Sequence, residues 1–164
     1  MTRPTWTMYH PNGKGTGSAL RLELHPARPN ADGSILATIA PQKTVGMSNG
    51  TEHTFPTFDW EKAIRLKLDY LDLTEILQVL RGYCESIADG KGLFHRTTTA
   101  NMVIKFEHRI EPVCGYMLDV ARRPNGGEIE RVSFFMRQTE ALALSEMIAN
   151  AMLYVTMGIP MVNE

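Results

Sequence analysis

From Ile64 to Leu77 the chain reads I-R-L-K-L-D-Y-L-D-L-T-E-I-L, and its hydrophobic period changes part-way. Alternation over Trp60–Tyr70 puts Ile64, Leu66 and Leu68 on one face of a strand and Arg65 and Lys67 on the other. Asp72, with Glu75 three residues later, is an acidic variant of the capping box and opens an amphipathic helix. That helix is expected to run to about Ala88 and to stop at Asp89-Gly90. The same junction recurs at M-R-Q-T-E-A-L, 136–142, with Thr-Glu at the same offset. There a strand over Glu130–Arg137 leads into a helix over Thr139–Met157.

Working outward, alternation predicts strands at Trp6–Tyr9, Ala19–His25 and Ser34–Ala40 before the first junction. Leu93–Arg96, Asn101–Glu111 and Gly115–Arg123 precede the second. The polar, Gly-containing stretch Lys43–Thr57 reads as a mobile loop. Each half is then four strands and one helix. The prediction is an α+β chain with an internal duplication, about 5–88 and 92–158, in one domain spanning 1–164.

At 164 residues the chain suits a single domain with a sizeable core. The formal net charge of −1 excludes a uniformly basic nucleic-acid binder and leaves the distribution of charge to decide. Of the 17 Lys and Arg residues, only Arg81 falls in an expected helix, so basic charge concentrates on strands and turns. Either a sheet surface that tracks phosphates or ordinary strand solubility accounts for that bias. The two cysteines, Cys84 and Cys114, show no metal spacing, which favours a reducing cytoplasm. No signal segment and no apolar run long enough to span a membrane is expected.

The stretch N-G-K-G-T-G, Asn12–Gly17, has glycines at alternate positions around one lysine. A phosphate-cradling loop needs Gly-Lys-Ser/Thr opening a helix, whereas Arg21–His25 continues as a strand. The loop therefore reads as a turn into a strand.

F-D-W-E-K at 58–62, followed by a strand and D-L-T-E-I-L, resembles the Whirly family of single-stranded DNA-binding proteins. K-G-T-G-S-A-L at 14–20, G-S-I-L-A-T-I-A-P at 33–41, L-F-H at 93–95 and M-G-I-P at 157–160 are similar to that family's segments in the same order. One lysine of its Lys-Gly-Lys entry is replaced here in the Thr16-Gly17-Ser18 region, and Arg96 stands where the family has Asp. With no plant-type transit segment ahead of the domain, a bacterial or phage relative is expected. The resemblance implies two antiparallel sheets with helices packed between them. It also implies a homotetramer with helices at its centre, binding single-stranded DNA without enzymatic activity. Lys14 is then offered to a phosphate.

Single-strand binding needs aromatic faces for bases and cations for the backbone. The candidates are Trp60 with Lys62, Arg65 and Lys67; Phe94 with His95 and Arg96; and Phe135 with Arg131, joined by Lys105 and Arg109. Trp60 as a core anchor and Phe135 as a subunit contact are the competing structural readings. The last helix is apolar nearly all round, so Leu144, Ile148 and Met152 are assigned to an oligomer interface. The five histidines show no metal spacing, and no cofactor or catalytic set is expected. A homo-oligomeric scaffold or transcription adaptor, or an RNA-binding protein of the same fold, is the alternative. A nucleotide-dependent enzyme rests on the glycine loop alone.

Overall fold

A computed structural model describes residues 3–159. The first sheet runs β1 (Thr5–His10), β2 (Ser18–His25), β3 (Ser34–Thr44), with β6 (Thr57–Phe58) and β7 (Ile64–Leu68) both paired antiparallel to β3. Between β3 and β6 lies a separate hairpin, β4 (Met47–Asn49) and β5 (Glu52–Thr54). This hairpin falls in the stretch expected to be a loop. Its turn is Gly50-Thr51, between the paired Asn49 and Glu52, with Gly50 at φ 60°, glycine at the first central position of a tight hairpin turn. The second sheet is a meander of β8 (Leu93–Arg96), β9 (Ala100–Arg109), β10 (Gly115–Pro124) and β11 (Glu130–Met136).

Helix α1 (Tyr70–Leu80) follows the first sheet and α2 (Gln138–Met157) the second. The expected α1 is corrected at both ends. Asp69, not Asp72, is the N-cap: its Oδ1 accepts from the Leu71 and Asp72 amides, and Asp72 Oδ2 accepts from the Asp69 amide at 3.1 Å. The box lies three residues earlier because the strand ends at Leu68. The helix stops at Leu80 because Gly82, at φ 73°, turns the chain into the left-handed region. The Gly82 and Tyr83 amides then close onto the carbonyls of Val79 and Gln78.

One apolar cluster joins both sheets and both helices. Met8, Leu20, Ile39, Ile64 and Leu66 enter it from the first sheet. Ile104, Phe106, Leu118 and Phe134 enter it from the second. Leu73, Ile76 and Val79 of α1 and Ala141, Leu144, Ile148, Ala151 and Val155 of α2 complete it. The helices therefore cover the inner faces and leave the opposite, outer faces of both sheets uncovered by helix. The sheets abut where the Ser18 hydroxyl of β2 donates to the Ser133 carbonyl of β11 at 2.7 Å.

The interface assignment for α2 is corrected here. Leu144 and Ile148 are 4% and 2% exposed inside the protomer's own core, and Met152 is partly buried against it. The large apolar side chains that α2 leaves uncovered are Leu142, Leu153, Tyr154 and Met157. An apolar-all-round helix cannot reveal from sequence which arc faces the sheet, because the contrast that orients it is missing.

Candidate nucleic-acid interface

The loop Asn12–Gly17 is held from within. Buried Gln42 accepts from the Asn12 and Gly17 amides through Oε1 and donates through Nε2 to the Asn12 and Thr44 carbonyls. Asn12 Oδ1 accepts from the Lys14 and Thr16 amides. Four amides that could cradle a phosphate are thus already used, which removes the structural basis for nucleotide binding. A Cβ at Gly17 would lie 2.2 Å from the His10 carbonyl oxygen, so glycine is required there. Lys14 stands exposed on this fixed turn.

Register builds the outer face of the first sheet in rows, because directly opposed residues share a face. Thr7, Arg21, Thr38 and Arg65 form one row, and Thr5, Glu23, Leu36 and Lys67 the next. Trp60 folds back onto this face with the Arg21 guanidinium 4.0 Å from its ring centroid, a cation–π contact. Trp60 is accordingly absent from the core cluster, so its reading as a core anchor does not hold. Tyr9 and Phe58 pair beside it with centroids 5.5 Å apart. Ala19 and Ala40 are fully buried although they belong to the outer face.

Near the next row, Arg3 and His25 both bond the Glu23 carboxylate, at 3.1 and 2.7 Å. Arg3's hydrogen bond, against the opposing effect of desolvation and aided by His25, holds the Glu23 carboxyl below the usual carboxylate range.

On the second sheet one outer row is Arg131, Ala121, Val103 and Phe94. Ser133, Asp119 and Lys105 form the row on one side of it, and Arg123, Asn101 and Arg96 flank the other. Phe94 is 64% exposed at the end of its row. Phe135 shares a row with Met117 and Glu107 and lies across Gly115, where an added Cβ would meet its ring at 2.4 Å. It lines a groove with Tyr9, Met117, Ser133 and Arg137 at the junction of the sheets. A second groove brings Lys62 of the first sheet's approach beside Arg122 and Arg131.

Among the described residues, Lys14, Arg65, Lys67, Arg96, Lys105 and Arg131 have no salt-bridge partner. Lys62, itself exposed, has only a contact to Asp59 at 3.8 Å. Two expected site residues are otherwise engaged. His95 lies on the helix side, where Nε2 meets buried Asp72 Oδ1 at 3.1 Å, so it ties β8 to the start of α1. Arg109 is held by Glu107 at 2.5 Å and Asp119 at 3.3 Å. Local spacing could not show either partner, since Asp72 and Asp119 reach these sites through tertiary packing and strand pairing.

No protein-family model matches the chain, and no curated protein matches it in sequence. Among solved structures it is similar to the Whirly protein WHY1 from Arabidopsis thaliana, with a TM-score of 0.72 at 16% identity, covering 94% of this chain and 86% of that one. The fold is Whirly-like. The plant transcriptional regulator PBF-2 superposes with a TM-score of 0.70 at 16% identity, over 94% of this chain and 83% of that one. WHY3 from Arabidopsis thaliana gives 0.68 at 16% identity, over 94% and 89%. At this identity the likeness carries the architecture alone.

Within the Whirly-like fold, sequence reading missed Arg21, Tyr9, Phe58 and Arg123 as outer-face residues of interest. Arg21 already stood on the polar side of its strand; its meeting with Trp60 depends on two strand pairings. Pro160, the last residue of the M-G-I-P segment, lies outside the described residues. Among the described residues no group of His, Cys, Asp and Glu is placed to hold a metal ion, and no helix is long and apolar enough to cross a membrane.

Proposed function

We propose that this chain binds single-stranded nucleic acid, foremost DNA and with little sequence choice, along the outer faces and edges of its two sheets, and that it is not an enzyme. The observation that carries this reading is the coincidence, on faces the helices leave uncovered, of exposed or surface-stacked aromatics with cations that have no salt-bridge partner. Trp60 stacks on Arg21 in the row that Arg65 ends, with Lys67 in the next row, and Phe94 ends the row that Arg131 begins, beside Arg96 on the same edge strand. Each aromatic offers a face to any base, and each free cation offers a site to a phosphate. Lys14, Lys62 and Lys105 extend the cationic surface, and Phe135 adds an aromatic face at the sheet junction. Duplex bases are already stacked, so these rings favour single strands.

The same reading includes a homo-oligomer, a tetramer by fold analogy, formed through the uncovered apolar residues Leu142, Leu153 and Met157 of α2. Cys84 and Cys114 are free thiols, which supports a cytoplasmic setting.

Titration of single-stranded DNA, matched duplex and single-stranded RNA across salt tests the reading. Single-stranded DNA is expected to bind in preference to duplex, with log affinity falling against log salt by about 0.7 per phosphate neutralised. Equal affinity for duplex, or affinity indifferent to salt, would favour a protein-binding scaffold instead. Tighter binding of RNA would move the assignment to that polymer.

A further inference from the structure

The outer face of the second sheet carries one feature that a purely phosphate-tracking surface would not need. Asp119 sits at the middle of the Ser133–Asp119–Lys105 row, in a shallow depression lined by Val103, Lys105, Ala121, Arg131 and Ser133. Its carboxylate is fixed: the Ser133 hydroxyl donates to Oδ1, and Arg109 Nη2 donates to Oδ2 at 3.3 Å. The side chain is still 36% exposed. A carboxylate offers about four lone-pair sites, so two acceptor positions are left for a ligand.

Resting on the single-strand reading above, we infer that Asp119 contacts a base rather than a phosphate and favours a base that presents an exocyclic amino group, cytosine over uracil or thymine. A phosphate held at this carboxylate would be repelled, while Lys105 and Arg131 line the same depression and can take the phosphates to either side. A base laid on the small floor of Ala121 and Val103 would then turn an edge toward Asp119. Cytosine N4 donates to such a carboxylate. Uracil and thymine instead present a carbonyl oxygen at that position, and their one ring N–H lies between two carbonyl oxygens. Lone pairs then face lone pairs. The hydroxyl of Ser133 and the guanidinium of Arg109 act as positioning groups, holding the acceptor in place before the base arrives.

Direct binding of labelled oligo-deoxycytidine and oligo-deoxyuridine of equal length, at low salt and about pH 7.5, reads this out. The parent protein is expected to hold the cytidine polymer on the order of five-fold to tenfold more tightly. Asp119→Asn should abolish or invert that preference, because the amide it introduces can donate to the uracil O4. Should Asp119→Asn fail to fold, Ser133→Ala serves: it frees the carboxylate from its orienting hydroxyl and should narrow the ratio of oligo-deoxycytidine to oligo-deoxyuridine affinity.

Equal binding of the two polymers by the parent would overturn the inference. So would a uniform gain for both in Asp119→Asn, the signature of charge removal alone, or an unchanged preference in Ser133→Ala. Failure of the parent to bind either polymer would instead remove the single-strand reading on which the inference rests. Tight binding of both without preference would leave that reading intact and dismiss only Asp119's role.

Discussion

Ile148→Asp is expected to leave no folded protomer at ordinary temperature. The side chain is 2% exposed and packs within the cluster shared by both sheets and both helices. Removing its apolar volume alone costs about 2–5 kcal/mol. Burying an unpaired carboxylate adds several kcal/mol more, and a domain of this size has about 5–15 kcal/mol in total. Far-ultraviolet circular dichroism and thermal melting check the outcome. A variant that keeps its parental melting temperature and merely loses self-association would return Ile148 to a subunit interface and contradict the placement of α2. Leu153→Asp is the contrasting change: Leu153 is 55% exposed, so the fold should survive, and any loss should fall on oligomeric mass in light scattering.

Phe94→Ala is expected to weaken single-strand binding by roughly 1–3 kcal/mol if one base stacks on the ring, about 5- to 150-fold in affinity. No charge is removed, so the dependence of affinity on salt should stay as in the parent. Because the ring is 64% exposed on the edge strand β8, melting should barely change. Lys105→Ala should do the converse, reducing the salt slope by about 0.7 if its ammonium neutralises one phosphate. Parental affinity in Phe94→Ala would remove stacking from the account and leave a surface that holds nucleic acid by charge alone. Trp60→Ala is a less clean probe, since it also releases Arg21 from the ring it covers.

Legibility differed between the fold and the site, for physical reasons. Leu93–Arg96 was delimited as a strand with the bounds observed, and β2, β10 and β11 to within a residue at either end, because period-two alternation records which face is buried. The start of α1 was displaced because Asp69 and Asp72 satisfy the same spacing rule as Asp72 and Glu75, and only the end of the strand at Leu68 decides between them. Its early stop lies in Gly82 and the β4–β5 turn in Gly50, both at positive φ inside stretches whose longer pattern points elsewhere.

Side-chain partners were another matter. Alternation places Arg65, Lys67 and Arg131 on the polar faces of their strands, but His95 belongs to Asp72, Arg109 to Glu107 and Asp119, and Arg21 to Trp60. The His95, Arg109–Asp119 and Arg21 pairings join residues at least 10 positions apart, so no local rule contains them.

The most direct measurement of the central claim is to photocrosslink the protein to a single-stranded oligonucleotide carrying 5-iodouracil and to map the adducts by mass spectrometry. Adducts are expected on the outer faces and edges of the two sheets, at Trp60 and Phe94 and at Phe135 in the groove between them. Adducts confined to α1 and α2, with none on the sheets, would contradict the account.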